Sequence, residues 1–368
     1  MDTGHVRAIA FYLPQFHPIP ENDTWWGKGF TEWTNVAKAR PLFDGHYQPH
    51  IPADLGFYDL RLAEAREAQA AMAREYGIDG FCYYHYWFNG RRILDRPFRE
   101  VLASGEPDFP FCLCWANENW TRAWDGGNGN ILLAQQHGPE DDLSHIRELI
   151  PALRDDRYIR VNGKPLLLVY RTEIIPDPLR MTEIWREEAI RSRVGDLYLA
   201  RVESFSSDPA PRSHGFDAAV EFAPDWRNKG APLCRSTPRY YLSRIGLIPD
   251  VYFKHWVFSY ESMIQAMLQK PEVDYIRLRC ATPGWDNSPR RARGAAIFIG
   301  STPGRYQQWL TELADETRKK YAGEERIVFI NAWNEWGEGN HLEPDLKWGH
   351  AYLEATFQAL KMPFPKGL

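Results

Sequence analysis

Apolar residues fall into short runs separated by longer stretches with helical spacing, and this alternation repeats along the chain. Residues 6–13 (VRAIAFYL) are apolar and bounded by Pro14, which reads as a first strand. A long loop over about 14–58 follows, rich in Pro, Trp, His, Tyr and Asn. Loops of that length inside compact domains are usually functional. Residues 59–76 carry apolar positions at helical spacing among Ala, Glu and Arg, with Gly77 as the stop. The same reading gives strands at 78–84, 109–115, 164–170, 197–202, 218–222 and 275–280, and an eighth from 327. Helices are expected over 95–103, 141–153, 181–193, 260–268, 303–321 and 350–360. The helix after the fifth strand is the hardest to see.

Strand followed by helix eight times is the order of a single α/β domain over 1–368, a (β/α)8 TIM barrel with long βα-loops. Doubly wound sheets compete, but they usually carry a Gly-rich first turn, and Leu13-Pro14-Gln15-Phe16 is not one. In a barrel the chemistry sits where strands end. Those ends offer Tyr12, Gln15 and His17, then Tyr84, His85, Tyr86 and Trp87, then Trp115, Asn117, Glu118 and Trp120. They continue with Tyr170, Glu203, Glu221, Trp285 and Asp286. The last end is Trp333-Asn334-Glu335-Trp336-Gly337-Glu338-Gly339. The opposite ends, as at Arg7, Asp79 and Lys164, show no such clustering.

Composition narrows the chemistry. Of 368 residues, 14% are aromatic and 15 are Trp, a surplus that suits stacking on apolar ring faces. The formal charge of -5 advertises no nucleic acid. Five Cys without a CxxC pair read as reduced, buried thiols and argue against a structural zinc site. Asp125 to Asn130 (DGGNGN) lacks the full calcium pattern and reads as an ordinary turn. Neither a metal nor a cofactor is expected. No secretory signal and no membrane span is visible, so the expectation is a soluble, by default cytoplasmic, protein.

Indoles, phenols, amides, imidazoles and carboxylates around one mouth suit an oligo- or polysaccharide. Each candidate also has a plain structural reading. Trp115, Trp333 and Trp336 read equally as core; His85 reads as a hydrogen-bonded core residue and Glu118 as a solvated charge or cap. Glu203 and Glu221 read as partners of Arg171, Arg201 or Arg227. Glu335 and Glu338 stand apart. Two carboxylates placed together raise each other's pKa, and two Trp and two Gly around them argue against a solvated surface.

At these residues the chain resembles known families. Trp333 to Gly339, followed by Leu342-Glu343-Pro344, resembles the catalytic signature of glycoside hydrolase family 99. Ala10 to His17 (AFYLPQFH), Trp25-Trp26-Gly27, Phe30-Thr31-Glu32-Trp33 and Tyr83-Tyr84-His85-Tyr86-Trp87 resemble more closely the WbsX-like proteins. These are a bacterial, family 99-like group associated with O-antigen and other surface-polysaccharide gene clusters. That resemblance covers nearly the whole chain, and the family 99 likeness is strongest at the last strand. It implies a (β/α)8 barrel and retaining hydrolysis of α-mannosidic bonds, in the setting of polysaccharide-assembly machinery. Carried over by position, Glu335 is the base that deprotonates the substrate's 2-hydroxyl, whose oxygen attacks C1 to give a 1,2-anhydro sugar. Glu338 is the acid that protonates the leaving oxygen and later activates water. Such a route suits α-manno or α-rhamno sugars, whose 2-hydroxyl lies anti to the leaving group. Trp25 and Trp26 join the expected sugar contacts. Gly337 and Asn340 depart from the family 99 pattern, so mannose specificity does not transfer. Two alternatives stand beside the hydrolase: a glycosyltransferase or transglycosylase, and an inactive carbohydrate-binding barrel. Against the nucleotide-sugar form, the chain has no Gly-rich phosphate loop and no Asp-x-Asp motif.

Overall fold

A computed structural model of the chain describes residues 4–122, 127–205, 210–233 and 238–361. Eight parallel strands form its centre: β1 (Arg7–Tyr12), β2 (Gly80–Phe88), β3 (Phe111–Trp115), β4 (Lys164–Val169), β5 (Tyr198–Glu203), β6 (Ala218–Glu221), β7 (Ile276–Ala281) and β8 (Ile327–Ile330). Neighbours in sequence pair in order, and the ring closes where β1 pairs both β2 (Ile9 opposite Gly80) and β8 (Arg7 opposite Ile327). This is a closed (β/α)8 barrel, as the alternation predicts. The strands read as continuous apolar runs because helices cover their outer faces and side chains fill the interior. β8, with the sequence IVFI, is buried at every position.

The helices around the barrel are α1 (Ala63–Glu75), α2 (Arg96–Ser104), α3 (Pro139–Leu153), α4 (Pro178–Arg191), α5 (Tyr260–Leu268), α6 (Pro303–Lys320) and α7 (Ala351–Leu360). Several open on Pro, whose fixed φ suits a first helical turn. In α4 and α6 the side chains of Asp177 and Thr302 accept from the N–H groups of Arg180 and Arg305. The barrel's lower end is tied by polar contacts: the Ala8 N–H donates to Asp79 at 2.7 Å, and Lys164 pairs with Asp196 at 2.7 Å.

Four features depart from the sequence expectation. β2 runs past Tyr84 to Phe88 and folds back through Asn89-Gly90, both at positive φ, onto Arg91–Ile93. An Asn-Gly pair is the usual two-residue hairpin turn, because both positions tolerate left-handed backbone. The crossover after β5 contains only a 3-10 turn, Pro211–His214, among the described residues. A parallel pair outside the barrel, Trp256–Ser259 with Ala296–Ile299, was not foreseen. In the DGGNGN stretch, Gly127 and its successors belong to a strand, Gly127–Leu133, paired with Trp120–Arg122. Asp125 and Gly126 lie outside the described residues.

Part of the indole surplus goes into the core. Trp115, Trp185, Trp309, Trp333 and Trp336 are all fully buried. Cys82, Cys112, Cys114 and Cys280 are free, buried thiols, and Cys234 lies outside the described residues. Among the described residues, no helix is long and apolar enough to cross a membrane.

Candidate active site

Beyond β8 the chain enters a small hairpin. Asn334–Glu335 pairs antiparallel with Asn340–His341, and the 3-10 turn Trp336–Glu338 joins them. Gly339 closes the turn at φ +55, a left-handed conformation that favours glycine. Asn334 fixes the hairpin to the end of β1: its Oδ1 accepts from the Leu13 N–H at 2.7 Å and its Nδ2 donates to the Leu13 carbonyl at 3.0 Å. Turn geometry thus delivers Glu335 and Glu338, three residues apart, to the mouth of the barrel.

Both carboxylates grip one guanidinium. Arg290, on the loop after β7, reaches Glu335 Oε2 with Nη2 at 2.9 Å and Glu338 Oε1 with Nη1 at 2.8 Å. Its Nε donates at 2.7 Å to Glu32, a fully buried residue opening the helix Glu32–Lys38 of the first loop. Gly337 makes room for this arrangement. A Cβ there would lie 1.7 Å from Glu32 Oε1 and 2.9 Å from Arg290 Nε. Glycine at 337 therefore has a local cause: the Glu32 carboxylate stands where a Cβ would be.

Burial pushes the pKa of both Glu335 and Glu338 up, and Glu32 adds like-charge repulsion. Arg290 opposes the rise at both. Burial alone would lower Arg290, but the three glutamates more than reverse that, and its pKa rises. With three acids around one cation, full ionisation would leave an uncompensated buried charge, so the cluster retains a proton near neutral pH. Behind the turn sits Glu343, which accepts from Trp336 Nε1 at 2.5 Å, Gln69 Nε2 at 2.6 Å and Tyr58 Oη at 2.8 Å. Burial lifts its pKa to about 7 against the pull of those donors.

Glu335 and Glu338 face a cavity of about 290 Å³. Its aromatic lining comes from the first loop (Trp25, Trp26), the end of β2 (Tyr84, Tyr86), the strand after β3 (Trp120) and the end of β4 (Tyr170). Trp120 stands edge-on to Trp25 (centroids 5.7 Å) and to Tyr86 (5.4 Å). Two amides in the lining, Asn22 and Gln15, are buried, and both polar atoms of Asn22 and the Nε2 of Gln15 have no partner among the described residues. A buried amide without a protein partner is costly unless water or a ligand satisfies it. Here the unsatisfied groups open on a cavity with aromatic walls, which suits a polyhydroxylated ring.

Trp25, Trp26, Tyr84, Tyr86, Glu118, Trp120, Tyr170, Glu335 and Glu338 all line this one cavity. The other expected residues lie elsewhere. The Tyr12 hydroxyl donates to Gln69 at 2.7 Å, and His17 Nδ1 donates to the Pro14 carbonyl at 2.9 Å. His85 meets His145 at 2.8 Å, and Asn117 caps the Arg171 backbone. Trp115, Trp333, Asn334 and Trp336 are enclosed in the core. Glu203 pairs with Arg277 at 2.9 Å, and Glu221 with Lys270 at 3.0 Å and Arg279 at 2.9 Å. Trp285 lines a second cavity. The strand-end rule fails for these because barrel residues alternate inward and outward, and the ends also carry the packing of the loops above. Glu118, at the rim, pairs with Arg171. Gln15, named at the first strand end, does line the cavity, whereas sequence reasoning passed over Arg290, Glu32 and Asn22 as contacts. The Pro-Arg-Arg-Ala-Arg run around Arg290 looks like a solvated basic face.

Comparisons with known proteins agree with the barrel. A profile of the family described as "Glycosyltransferase WbsX" matches residues 8–356. Two proteins named "Uncharacterized protein WxcX", from Xanthomonas campestris pv. campestris strains B100 and ATCC 33913, are each 46% identical over 360 residues. The match covers 98% of this chain, and the chain spans about half the length of these curated relatives, 50% in each case. Among solved structures, a GH99 endo-α-mannosidase from Bacteroides thetaiotaomicron, in complex with BIS-TRIS-propane, superposes with a TM-score of 0.56 at 16% identity, over 98% of this chain and 97% of that one. A glycoside hydrolase-like protein superposes with a TM-score of 0.57 at 13% identity, over 98% and 95%. At such identities the likeness speaks for the fold.

Proposed function

The chain belongs to the WbsX family, and we propose that it is a glycoside hydrolase acting on α-manno- or α-rhamno-configured units of a bacterial surface polysaccharide. One observation carries the reading: two carboxyls on a single turn, one buried and one largely so, grip one guanidinium and face an aromatic cavity whose wall holds unsatisfied amides. In this reading 1–368 is one catalytic domain, and its first βα-loop, about 14–58, supplies Asn22, Trp25, Trp26 and Glu32.

Glu335 and Glu338 share one guanidinium, so they approach a sugar from the same side of the pocket. Carboxyls that flank an anomeric carbon from opposite faces, as in direct double displacement, are arranged differently. A same-side pair suits participation by the substrate. Glu335 takes the proton of the 2-hydroxyl, O2 bonds to C1, the C1–O bond to the leaving group breaks, and Glu338 gives its proton to that oxygen. Water then attacks C1 and loses a proton to Glu338, while O2 leaves C1 and recovers its proton from Glu335. Two inversions give net retention. An acceptor hydroxyl in place of water would make the same site a transglycosylase, a group-transfer reaction as the family's description, a glycosyltransferase, also names.

The direct test is incubation with a panel of α-mannosyl and α-rhamnosyl oligosaccharides, following new reducing ends and reading the first-formed anomer by NMR. Release of the α anomer is expected. First release of the β anomer removes the mechanism, and no release on any manno- or rhamno-configured glycan removes the substrate class.

A pH shift follows from Glu32. Its charge raises the pKa of both Glu335 and Glu338. The acid must be protonated to work, so activity falls on the alkaline side as the pair loses its proton. Glu32→Gln keeps an acceptor for Arg290 and removes one negative charge, which lowers both pKa values. The alkaline limb of the kcat profile is expected to move to lower pH. An unmoved or upward-moved limb would contradict the role given to Glu32.

A further inference from the structure

On the far side of the catalytic turn the structure holds a second constellation, which the sequence reading did not assemble because its members lie 291 residues apart. His50 Nδ1 and His341 Nε2 lie 2.8 Å apart, Asp345 Oδ2 is 3.8 Å from His341 Nε2, and all three atoms fall within 4.8 Å of one another. They border a cavity of about 280 Å³ walled by Tyr47, Trp285, Asp286, Trp348 and Tyr352. We propose that His50, His341 and Asp345 form a binding site for a divalent transition cation of the zinc class.

The tautomer of His341 supports this. Its Nδ1 lies 2.8 Å from the Glu343 carbonyl, which can only accept, so Nδ1 carries the proton and Nε2 presents a lone pair. Ligating imidazoles are commonly held this way, by the other ring nitrogen on a backbone carbonyl. Both rings are also clamped. Trp336 stacks on His341 at 3.7 Å and 13°, and Tyr47 stacks on His50 at 4.2 Å and 28°. Asp345 is similarly held: its Oδ1 accepts from the N–H groups of Lys347 (2.9 Å) and Trp348 (2.6 Å), and its Oδ2 lies 3.8 Å from His341 Nε2, with the Tyr47 hydroxyl also against this carboxylate. The nearby Lys347 ammonium lies over the faces of Tyr47 (4.4 Å) and Trp348 (5.0 Å), and no ion pair ties it to Asp345 among the described residues.

Two imidazoles and one carboxylate are the donor set of zinc and its neighbours rather than of calcium or magnesium, which prefer oxygen. The fourth position would open on the cavity. The ion would pin His341 to the first loop and to Asp345. His341 is the return leg of the hairpin whose outgoing leg carries Glu335, so the cation is a positioning element for the catalytic turn. The competing arrangement is an N–H···N bond from His50 to His341 with no metal.

The two are separated by titrating the chelator-stripped chain with ZnCl2 by calorimetry and with CoCl2 by visible absorption. One saturable equivalent is expected, with a Co2+ spectrum of nitrogen and oxygen ligands. His50→Gln and His341→Gln should each weaken binding at least tenfold, with folding checked by circular dichroism. Glu338→Gln should leave it unchanged, which separates this site from the carboxylate cluster. Absence of a saturable equivalent on the wild-type chain overturns the proposal whatever the variants do, as does binding that neither His substitution alters.

Discussion

Replacing Glu338 by Gln is expected to lower hydrolysis of a glycan about a thousandfold, within the span usual for loss of a general acid. The amide oxygen introduced there still accepts from Arg290 Nη1, so the turn and the cavity keep their shape and substrate binding changes little. What disappears is the proton for the leaving oxygen. The loss should therefore depend on the substrate. An aryl glycoside whose leaving group needs no protonation should recover much of the first step in Glu338→Gln. Glu335→Gln should lose activity on both substrates, because the 2-hydroxyl keeps its proton in either. Measured rates that fall equally for both variants on both substrates would undo the division of roles, and wild-type rates would undo the site.

Arg290→Met is expected to destabilise the fold by about 3–5 kcal/mol, the usual cost of removing one partner from a buried ion pair. The mechanism is the uncompensated charge of Glu32, Glu335 and Glu338, which the cation holds at 2.7–2.9 Å. The sign of the pH dependence follows. Without Arg290 the folded-state pKa values of Glu335 and Glu338, already raised by burial, rise further above those of the unfolded chain. A raised acid is least costly when protonated, so the defect is smallest in acid and grows as pH rises through the folded pKa values. Urea unfolding of both proteins across that range measures it. A variant as stable as wild type at alkaline pH would mean that the guanidinium does not offset these charges.

The barrel was legible because parallel strands covered by helices are written as separate apolar runs, and Gly, Pro and capping residues mark where each run ends. β8 shows this well: IVFI is short, rich in β-branched residues and followed by a turn, which reads as a buried strand. Glu335 and Glu338 could be read because they are three residues apart and share one turn. Arg290 and Glu32 could not. Their meeting with Glu335 depends on the approach of two loops from opposite ends of the chain, and nothing in the period of either segment encodes it. The same limit explains Trp115 and Trp333. An indole at a strand end looks alike whether it turns toward the mouth or into the barrel, and the alternation that decides it is set by the closed ring. Gly337 was visible in the sequence, but its reason is a carboxylate 305 residues upstream.

The ratio of three acids to one guanidinium reaches beyond electrostatics. In the proposed cycle Glu335 gains a proton as Glu338 loses one, and the second half reverses both transfers. The cluster then holds the same number of protons in the resting enzyme, with the anhydro sugar bound, and after water has added. Water enters and the leaving group departs, but no proton need be exchanged with bulk solvent while the sugar is in place. An enzyme built this way can work beneath a long polymer that shuts the cavity mouth, because the proton it spends on one bond is already inside when the chain arrives.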